Sequence, residues 1–323
     1  MHIILADGIY IDIKNIKARM RNSIRRMASF KNSQYNTSIG KGKKKYYVSR
    51  VIEAFKNGED YIKIPRGLYE QLIHECEKSD ILYEISDHRI TGKAIGVSFK
   101  GQLRTNQQNA LNKMMVYDTG ILNAATGFGK TVVACGMIAK RKVSTLIIVP
   151  TDTLLTQWQN SLEKFLEINE PLPTYHTKTG IEKNYKSCIG TLKGGQNKLT
   201  GIIDIAMMQS LKEDLYPLLD QYGMVIMDEC HRCASDQIGE ALNVVCSKYV
   251  YGLSATPKRS DGLTPMIGFT FGPIRFKYES MKRAMEQSFS HYVYPRFTNV
   301  VNLTHPDSSI QDAYNLIKLH KDR

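Results

Sequence analysis

Residues 124–131 of the chain read Ala-Ala-Thr-Gly-Phe-Gly-Lys-Thr. That spacing is the Walker A pattern G-x-x-x-x-G-K-[ST] with Ala124 in place of the first glycine, and its chemistry is the holding of a polyphosphate. Glycines at 127 and 129 let the N–H groups of Thr126, Gly127, Phe128 and Gly129 converge on phosphate oxygens. Lys130 adds a point charge for the β- and γ-phosphates, and the Thr131 hydroxyl is a ligand for Mg2+. The plain alternative is a tight strand-to-helix turn whose lysine is merely exposed. A phosphate site of this kind needs an acidic partner, and residues 223–231, GMVIMDECH, offer one. The apolar run delivers Asp228 and Glu229 to the end of a buried strand, where Asp228 suits the Mg2+ and Glu229 suits orienting or deprotonating the attacking water. Together the two motifs predict hydrolysis of a nucleoside triphosphate.

Both motifs depend on strands that end at one edge of a sheet. Beyond residue 101, the apolar runs GILNA, TLIIVP, IIDIAMM, GMVIMDE and YVYGLSA alternate with helical stretches beginning near Thr131, Leu154, Leu211 and Ile238. Short apolar strands separated by helices predict an α/β fold with a parallel sheet covered on both faces. This domain is placed at residues 99–275. Residues 1–98 mix HIILADGIYID, YIKIP and ILYEI as strands with a helix at GLYEQLIHECEKS, which reads as a small α+β domain. Residues 276–323 show no further βαβ pattern and read as a linker.

Composition narrows the class. Hydrophobic and charged fractions of 42% and 23% are those of an ordinary globular chain, not of a disordered tail. No apolar run approaches the roughly 18 residues of a membrane span, and the N-terminus lacks the basic start of a signal peptide, so a cytoplasmic protein without a membrane partner is expected. The six cysteines are scattered through segments that read as core, and a disulfide framework is not expected. Cys230 and Cys233 form one C-x-x-C without the second ligand pair of a structural zinc site; packing is the preferred role. The net charge of +13 is unevenly spread: residues 14–50 hold twelve Lys or Arg and no Asp or Glu, with Tyr35, Tyr46 and Tyr47 among them. A one-sign stretch suits a nucleic-acid backbone and the tyrosines suit stacking on bases. A solvated basic face or an anionic-lipid patch is the alternative.

In order along the chain stand LRTNQ (103–107), ATGFGKT (125–131), IIVPTDTLLTQW (147–158), MMQSL (207–211), DECH (228–231) and GLSATPKRSDG (252–262). These segments resemble motifs Q, I, Ia, Ib, II and III of the superfamily 2 helicases. The resemblance is greatest to the DNA-directed branch with XPB-like and phage UvsW-like helicases and those of primase-associated conflict systems. It covers residues 101 to about 275 and implies a RecA-like P-loop NTPase domain preceded by a small domain, to which IPRGL at 64–68 is similar. ATP and Mg2+ are the implied cofactors, and DNA, single-stranded, forked or branched, is the implied partner.

The resemblance further implies that Arg104 and Gln107 contact adenine, that Thr151, Gln209 and Ser210 touch a nucleic-acid backbone, and that His231, Ser254 and Thr256 link the γ-phosphate state to domain movement. Asn106 stands where the family has an aromatic residue. Ser260 stands, between Arg259 and Asp261, where XPB-like proteins have Glu in an Arg-Glu-Asp element with a strand-separating role. Read from the residues alone, Thr151, Gln209, Ser210 and His231 also suit capping, loop or core positions, and the spacing Leu154, Leu155, Trp158, Leu162 makes Trp158 a core residue.

Relatives carry a second RecA-like lobe that supplies an arginine finger. Nothing after Gly272 matches it, and DAYNLIKLHKDR (312–323) resembles the linker leading into it. The expectation is therefore the N-terminal half of an ATP-dependent DNA helicase or translocase that couples hydrolysis to unwinding or branch migration, with the second lobe in cis in a longer protein. This chain alone is expected to bind ATP and turn it over slowly, because an arginine finger is worth roughly 10³ to 10⁵ in rate. Two other classes stay open: a nucleotide-regulated DNA-binding or annealing module without motor activity, and a P-loop phosphotransferase, against which the SAT segment and motifs Ia and Ib count.

Overall fold

The computed structural model describes residues 1–33, 35, 49–176, 180–233, 236–259 and 261–278. Lys41, Lys43, Lys44, Lys45, Tyr46, Tyr47, Ser260 and residues 279–323 of the expected linker lie outside the described residues. The described residues all fall within one compact unit.

The N-terminal part is built on β1 (His2–Leu5), β2 (Ile9–Asp12), β3 (Lys56–Asn57), β4 (Tyr61–Ile64) and β5 (Glu84–Asp87), in the order β3-β4-β2-β1-β5. The alternation of Ile9 and Ile11 with polar neighbours, and of Ile62 and Ile64, turns one face of this sheet inward. Two helices, α1 (Ala18–Met27) and α2 (Tyr69–Lys78), cover that face through Met20, Ile24, Leu72 and Cys76. Helix α1 lies inside the basic run. Its apolar stripe is only two buried residues wide, so the four arginines Arg19, Arg21, Arg25 and Arg26 hide the helical period in the sequence.

The larger sheet comprises β6 (Thr119–Ala124), β7 (Thr145–Val149), β8 (Ile189–Lys193), β9 (Gln196–Lys198), β10 (Ile203–Met207), β11 (Met224–Asp228), β12 (Tyr249–Ser254) and β13 (Ile274–Tyr278). Its order is β9-β8-β10-β7-β11-β12-β6-β13, parallel throughout except for the β8–β9 hairpin. One apolar cluster joins the sheet to α3 (Thr105–Met115), α4 (Lys130–Arg141) and α5 (Asp152–Phe165). A second joins it to α6 (Asp236–Val244) and α7 (Thr264–Phe271). Covered on both sides, the central strands carry the continuous apolar runs seen in the sequence.

Four features depart from the sequence reading. The sheet does not end by residue 275: β13 pairs in parallel with β6 and takes residues 276–278 out of the expected linker. It is an edge strand in which Arg275 and Lys277 alternate with Phe276 and Tyr278, and it therefore lacks an apolar run. The helix expected near Leu211 is a 3-10 stretch, Glu213–Gln221, with Pro217 inside it, which cannot donate the N–H an α-helix requires. The strand expected in ILYEI begins at Glu84, and the β8–β9 hairpin, turning at Gly194 and Gly195, was not anticipated.

The IPRGL segment is the joint between the two sheets. Arg66 donates to the carbonyls of Asp7 and Leu242 at 3.1 Å each and to that of Val245. Leu242 and Val245 stand at the carboxyl end of α6, where a helix leaves carbonyls without partners. Gly67 passes so close to the Gly268 carbonyl that a Cβ would collide with it, and Phe269 of α7 completes the N-terminal core. At the same end of the larger sheet, Arg275 is held bidentately by Glu70 at 2.9 and 2.6 Å and lies 3.6 Å over the Tyr117 ring. Among the described residues no helix is long and apolar enough to cross a membrane.

Candidate functional site

Strand register assembles the candidate site. Asp228 pairs with Leu253 across β11 and β12, and Ser254 pairs with Asn123 across β12 and β6. The loop after β6, the Asp228-Glu229 pair and the segment after β12 therefore leave the sheet side by side at its carboxyl edge. In the loop, Gly127 and Gly129 take φ of 77° and 93°, a left-handed conformation that only glycine adopts without steric cost. Phe128 N–H closes the turn on the Ala125 carbonyl at 3.1 Å. The buried Phe128 ring packs 4.8 Å from Tyr278, and Ala125 N–H donates to the Tyr278 carbonyl at 3.2 Å. The edge strand β13 thus braces the loop.

Lys130 opens α4, with its ammonium 3.1 Å from the Ala124 carbonyl. A neutral carbonyl is a weak partner for an ammonium compared with a phosphate oxygen. Thr131 follows on the first turn, half-buried, while Thr126 is exposed. Left-handed glycines before a helix N-terminus, a lysine whose ammonium meets a neutral carbonyl and a nearby carboxylate fit a Mg2+–nucleotide. Among the described residues no group of three or more His, Cys, Asp or Glu could hold a metal ion. Mg2+ needs no such group, since one carboxylate, water and substrate phosphates suffice.

The Q-motif residues are tied to this loop. Gln107 is buried; its Oε1 accepts from Arg104 N–H at 3.0 Å, and its Nε2 donates to the Phe128 carbonyl at 2.8 Å. Arg104 donates to the same carbonyl at 3.2 Å. Gln107 thereby caps α3 from its third position and supports the phosphate loop, while Arg104 remains exposed.

The second motif is equally constrained. Asp228 is 5% exposed, and Glu229 has φ 51°, a sparsely populated conformation for a non-glycine residue of the kind found at functional sites. Asp228 Oδ1 accepts from Glu229 N–H at 2.9 Å. His231 Nδ1 lies 3.2 Å from Ser254 Oγ and 3.3 Å from Glu229 Oε2, and Thr256 N–H donates to Ser254 Oγ at 3.1 Å. The three residues given a coupling role thus form a chain of contacts, Thr256 to Ser254 to His231, that reaches the candidate base through His231 alone among the described residues. The nearby Arg259 donates to the His231 carbonyl at 2.6 Å while its Nε contacts Asp261 at 3.0 Å. The Asp261 carbonyl accepts from Ser33 at 3.1 Å. In this structure the Arg259–Asp261 pair joins the segment after β12 to the DECH turn and to the N-terminal part.

Thr151 caps α5, its hydroxyl accepting from Leu154 N–H at 3.3 Å, and its side chain is exposed. Gln209 is exposed and Ser210 half-buried in the 3-10 turn Met208–Ser210. Because Val149 pairs with Met207 across β7 and β10, all three occupy neighbouring positions on the same carboxyl edge. Trp158 is in the core as its spacing predicts, 1% exposed, but the sequence reading did not name its polar partner: the indole N–H donates to Asp228 Oδ2 at 2.8 Å. The LLTQW stretch carried the resemblance, but nothing in the local pattern named this partner. Cys230 and Cys233 are free and buried, in packing positions.

A two-sided parallel sheet with a phosphate loop and an acidic pair on one edge defines a P-loop nucleotide-binding lobe. Residues 100–259, just under half of the chain, match the family described as type III restriction enzyme, res subunit. Protein 161L of Invertebrate iridescent virus 6, provisionally named a helicase, is 32% identical over 185 residues, which are 55% of this chain and 39% of that protein. The DNA 3'-5' translocase XPB2 of Sulfurisphaera tokodaii is 31% identical over 178 residues, 55% of this chain and 36% of that protein. The chain thus spans well under two thirds of the length of these relatives. The crystal structure of the UvsW helicase from bacteriophage T4 superposes with a TM-score of 0.58 at 17% identity, covering 86% of this chain and 100% of that one, a likeness of fold. Over about half of its length the chain is thus similar to viral and archaeal helicases and translocases, and it shares its fold with the UvsW helicase.

Proposed function

We propose that this chain is the N-terminal half of an ATP-dependent DNA helicase or translocase, in which ATP hydrolysis drives unwinding or branch migration. The observation that carries the reading is the convergence of the left-handed glycine loop and the Asp228-Glu229 pair on one sheet edge. In this reading Arg104 and Gln107 meet the adenine, Arg104 by direct contact and Gln107 also by supporting the loop. The N–H groups of Thr126, Gly127, Phe128 and Gly129 receive phosphate oxygens, and Lys130 leaves the Ala124 carbonyl for the β- and γ-phosphates. Thr131 and Asp228 hold Mg2+, which when bound neutralises charge on the phosphates. Glu229 accepts the proton of the water that attacks the γ-phosphorus as the bond to ADP breaks. His231, Ser254 and Thr256 carry the loss of the γ-phosphate to neighbouring segments.

Residues 1–98 serve as a basic DNA-binding domain and residues 99–275 as the first RecA-like lobe. Thr151, Gln209 and Ser210 contact the DNA backbone. A second lobe in cis in a longer protein, reached through the residues after 275, supplies the arginine finger, and its absence makes turnover by this chain slow. The six free cysteines suit a reducing cytoplasm.

ATP turnover with and without forked DNA, beside single-stranded RNA of the same sequence and a Lys130→Ala control, tests the reading. Mg2+-dependent ATP binding that is lost in the control, with slow DNA-stimulated turnover, supports it. Binding unaffected by Lys130→Ala, or stimulation by RNA and not DNA, overturns it.

A further inference from the structure

We propose that Trp158 is a positioning residue for Asp228, holding that carboxylate in the orientation in which it receives Mg2+. The proposal rests on the reading of Asp228 as the metal ligand and extends it to a residue whose sequence pattern assigns it only to the core.

Mg2+ demands near-ideal octahedral geometry, so a carboxylate that serves it must have a fixed plane as well as a fixed position. Asp228 is buried at the end of β11. Two N–H groups fix it. The Glu229 main chain donates to Oδ1 at 2.9 Å and the Trp158 indole to Oδ2 at 2.8 Å. The first comes with the chain itself, whereas the second reaches in from a different element. Donors of this kind behind a metal ligand typically govern metal affinity by 10- to 100-fold.

The placement of Trp158 follows from its helix. Thr151 caps α5 at the carboxyl edge of the sheet, and Trp158 lies about two turns further on. Side chains on a helix lean toward its N-terminus, so the indole points back up toward that edge, where Asp228 sits. Leu155 and Leu162, one turn to either side and both fully buried, fix the helix against the sheet. A phenylalanine at 158 would preserve most of the apolar volume but has no N–H. The need for a donor at this position, rather than for bulk, is what distinguishes a positioning role from packing.

Trp158 is also the only tryptophan of the chain, so its emission reports directly on the bond. The test uses the full chain and a fluorescent ADP analogue titrated at increasing Mg2+. Trp158→Phe is expected to retain binding at saturating Mg2+, while the Mg2+ concentration for half-maximal binding rises about 10- to 100-fold. An unchanged Mg2+ dependence overturns the proposal. Unlabelled Mg2+–ADP added to the wild-type chain is expected to alter Trp158 emission, and Asp228→Ala to abolish the response. A wild-type emission that is silent to Mg2+–ADP already known to bind overturns the proposal without any variant having to fold. If Lys130→Ala binds the analogue as the wild type does, the nucleotide site itself is misassigned, and the proposal falls with it.

Discussion

The side-chain amide of Gln107 donates to the main-chain carbonyl of Phe128 at 2.8 Å, tying the first turn of α3 to the phosphate loop. A Cβ at Gly129 would run into that same amide, so the contact also sets how closely the loop and helix approach. Removing the amide leaves the Phe128 carbonyl with Arg104 alone. Gln107→Ala is expected to destabilise the fold by about 1–3 kcal/mol. It is also expected to weaken nucleotide binding by about tenfold, a change equivalent to ~1.4 kcal/mol. Chemical unfolding and nucleotide titration on the same preparation check both numbers. Unchanged affinity would separate Gln107 from the loop's function.

Asp228 and Glu229 are adjacent, but their surroundings differ, and substitutions should divide their roles. Glu229→Gln is expected to leave nucleotide and Mg2+ binding intact and to lower phosphate release about 10²- to 10⁴-fold, in whatever assembly gives measurable turnover. Asp228→Asn is expected to reduce Mg2+-dependent binding itself. Equal loss of binding in both variants would contradict the assignment of Glu229 as base.

Arg66 supplies three hydrogen bonds to main-chain carbonyls from two parts of the chain. Arg66→Ala is expected to cost about 3 kcal/mol, since bonds from a charged donor are worth roughly 1.5–3 kcal/mol each and the carbonyls regain water only in part. Unfolding followed by near-ultraviolet dichroism and by proteolysis should then separate into two transitions, one for each sheet. A single transition at the wild-type midpoint would mean that the joint rests on the apolar contacts of Phe269 instead.

Two ion pairs make the fold sensitive to acid. Hydrogen bonds from Arg89 hold the Asp87 carboxyl below its usual range, and those from Arg259 do the same for Asp261. A carboxylate depressed in the folded state contributes stability above its unfolded pKa, near 3.9, and loses it as pH falls through the folded value. Melting temperature is therefore expected to drop as the pH is lowered below about 4. The double variant Asp87→Asn/Asp261→Asn should melt lower at neutral pH and show a shallower acid slope. An identical slope in wild type and variant would locate the sensitivity in other groups.

Thr151 caps a helix and is proposed to touch DNA, and the two roles have different signatures. Thr151→Ala is expected to lose about 0.5–2 kcal/mol of stability with the Leu154 bond. Gln209→Ala, at an exposed position beside it, should leave the melting temperature unchanged and weaken DNA binding several-fold in a binding titration. DNA affinity that is the same in both variants and the wild type would remove this edge from the interface.

Much of the site was legible before the structure. The glycine-rich loop is a run of eight residues that fits one motif, and the Asp-Glu pair follows an apolar strand directly. Five central strands and the helices after β6 and β7 appear in the sequence because burial on both faces leaves uninterrupted apolar runs and amphipathic helices. Helix α1 and strand β13 were not legible, since charges interrupt the period in the first and an exposed edge face interrupts the run in the second.

Residue order alone determined the glycine-rich Lys-Thr motif, the acidic pair, the parallel sheet and the uneven basic charge, because each is a local pattern of neighbours in sequence. Only the tertiary structure decided that Trp158 faces Asp228 across 70 residues, that Gln107 braces Phe128 across 21, and that Arg66 reaches Leu242 across 176. Those contacts join a single N–H or guanidinium to one carboxylate or one carbonyl. Such a partner carries no periodicity or composition of its own, and it becomes definite only when strand register and helix packing bring the two segments together.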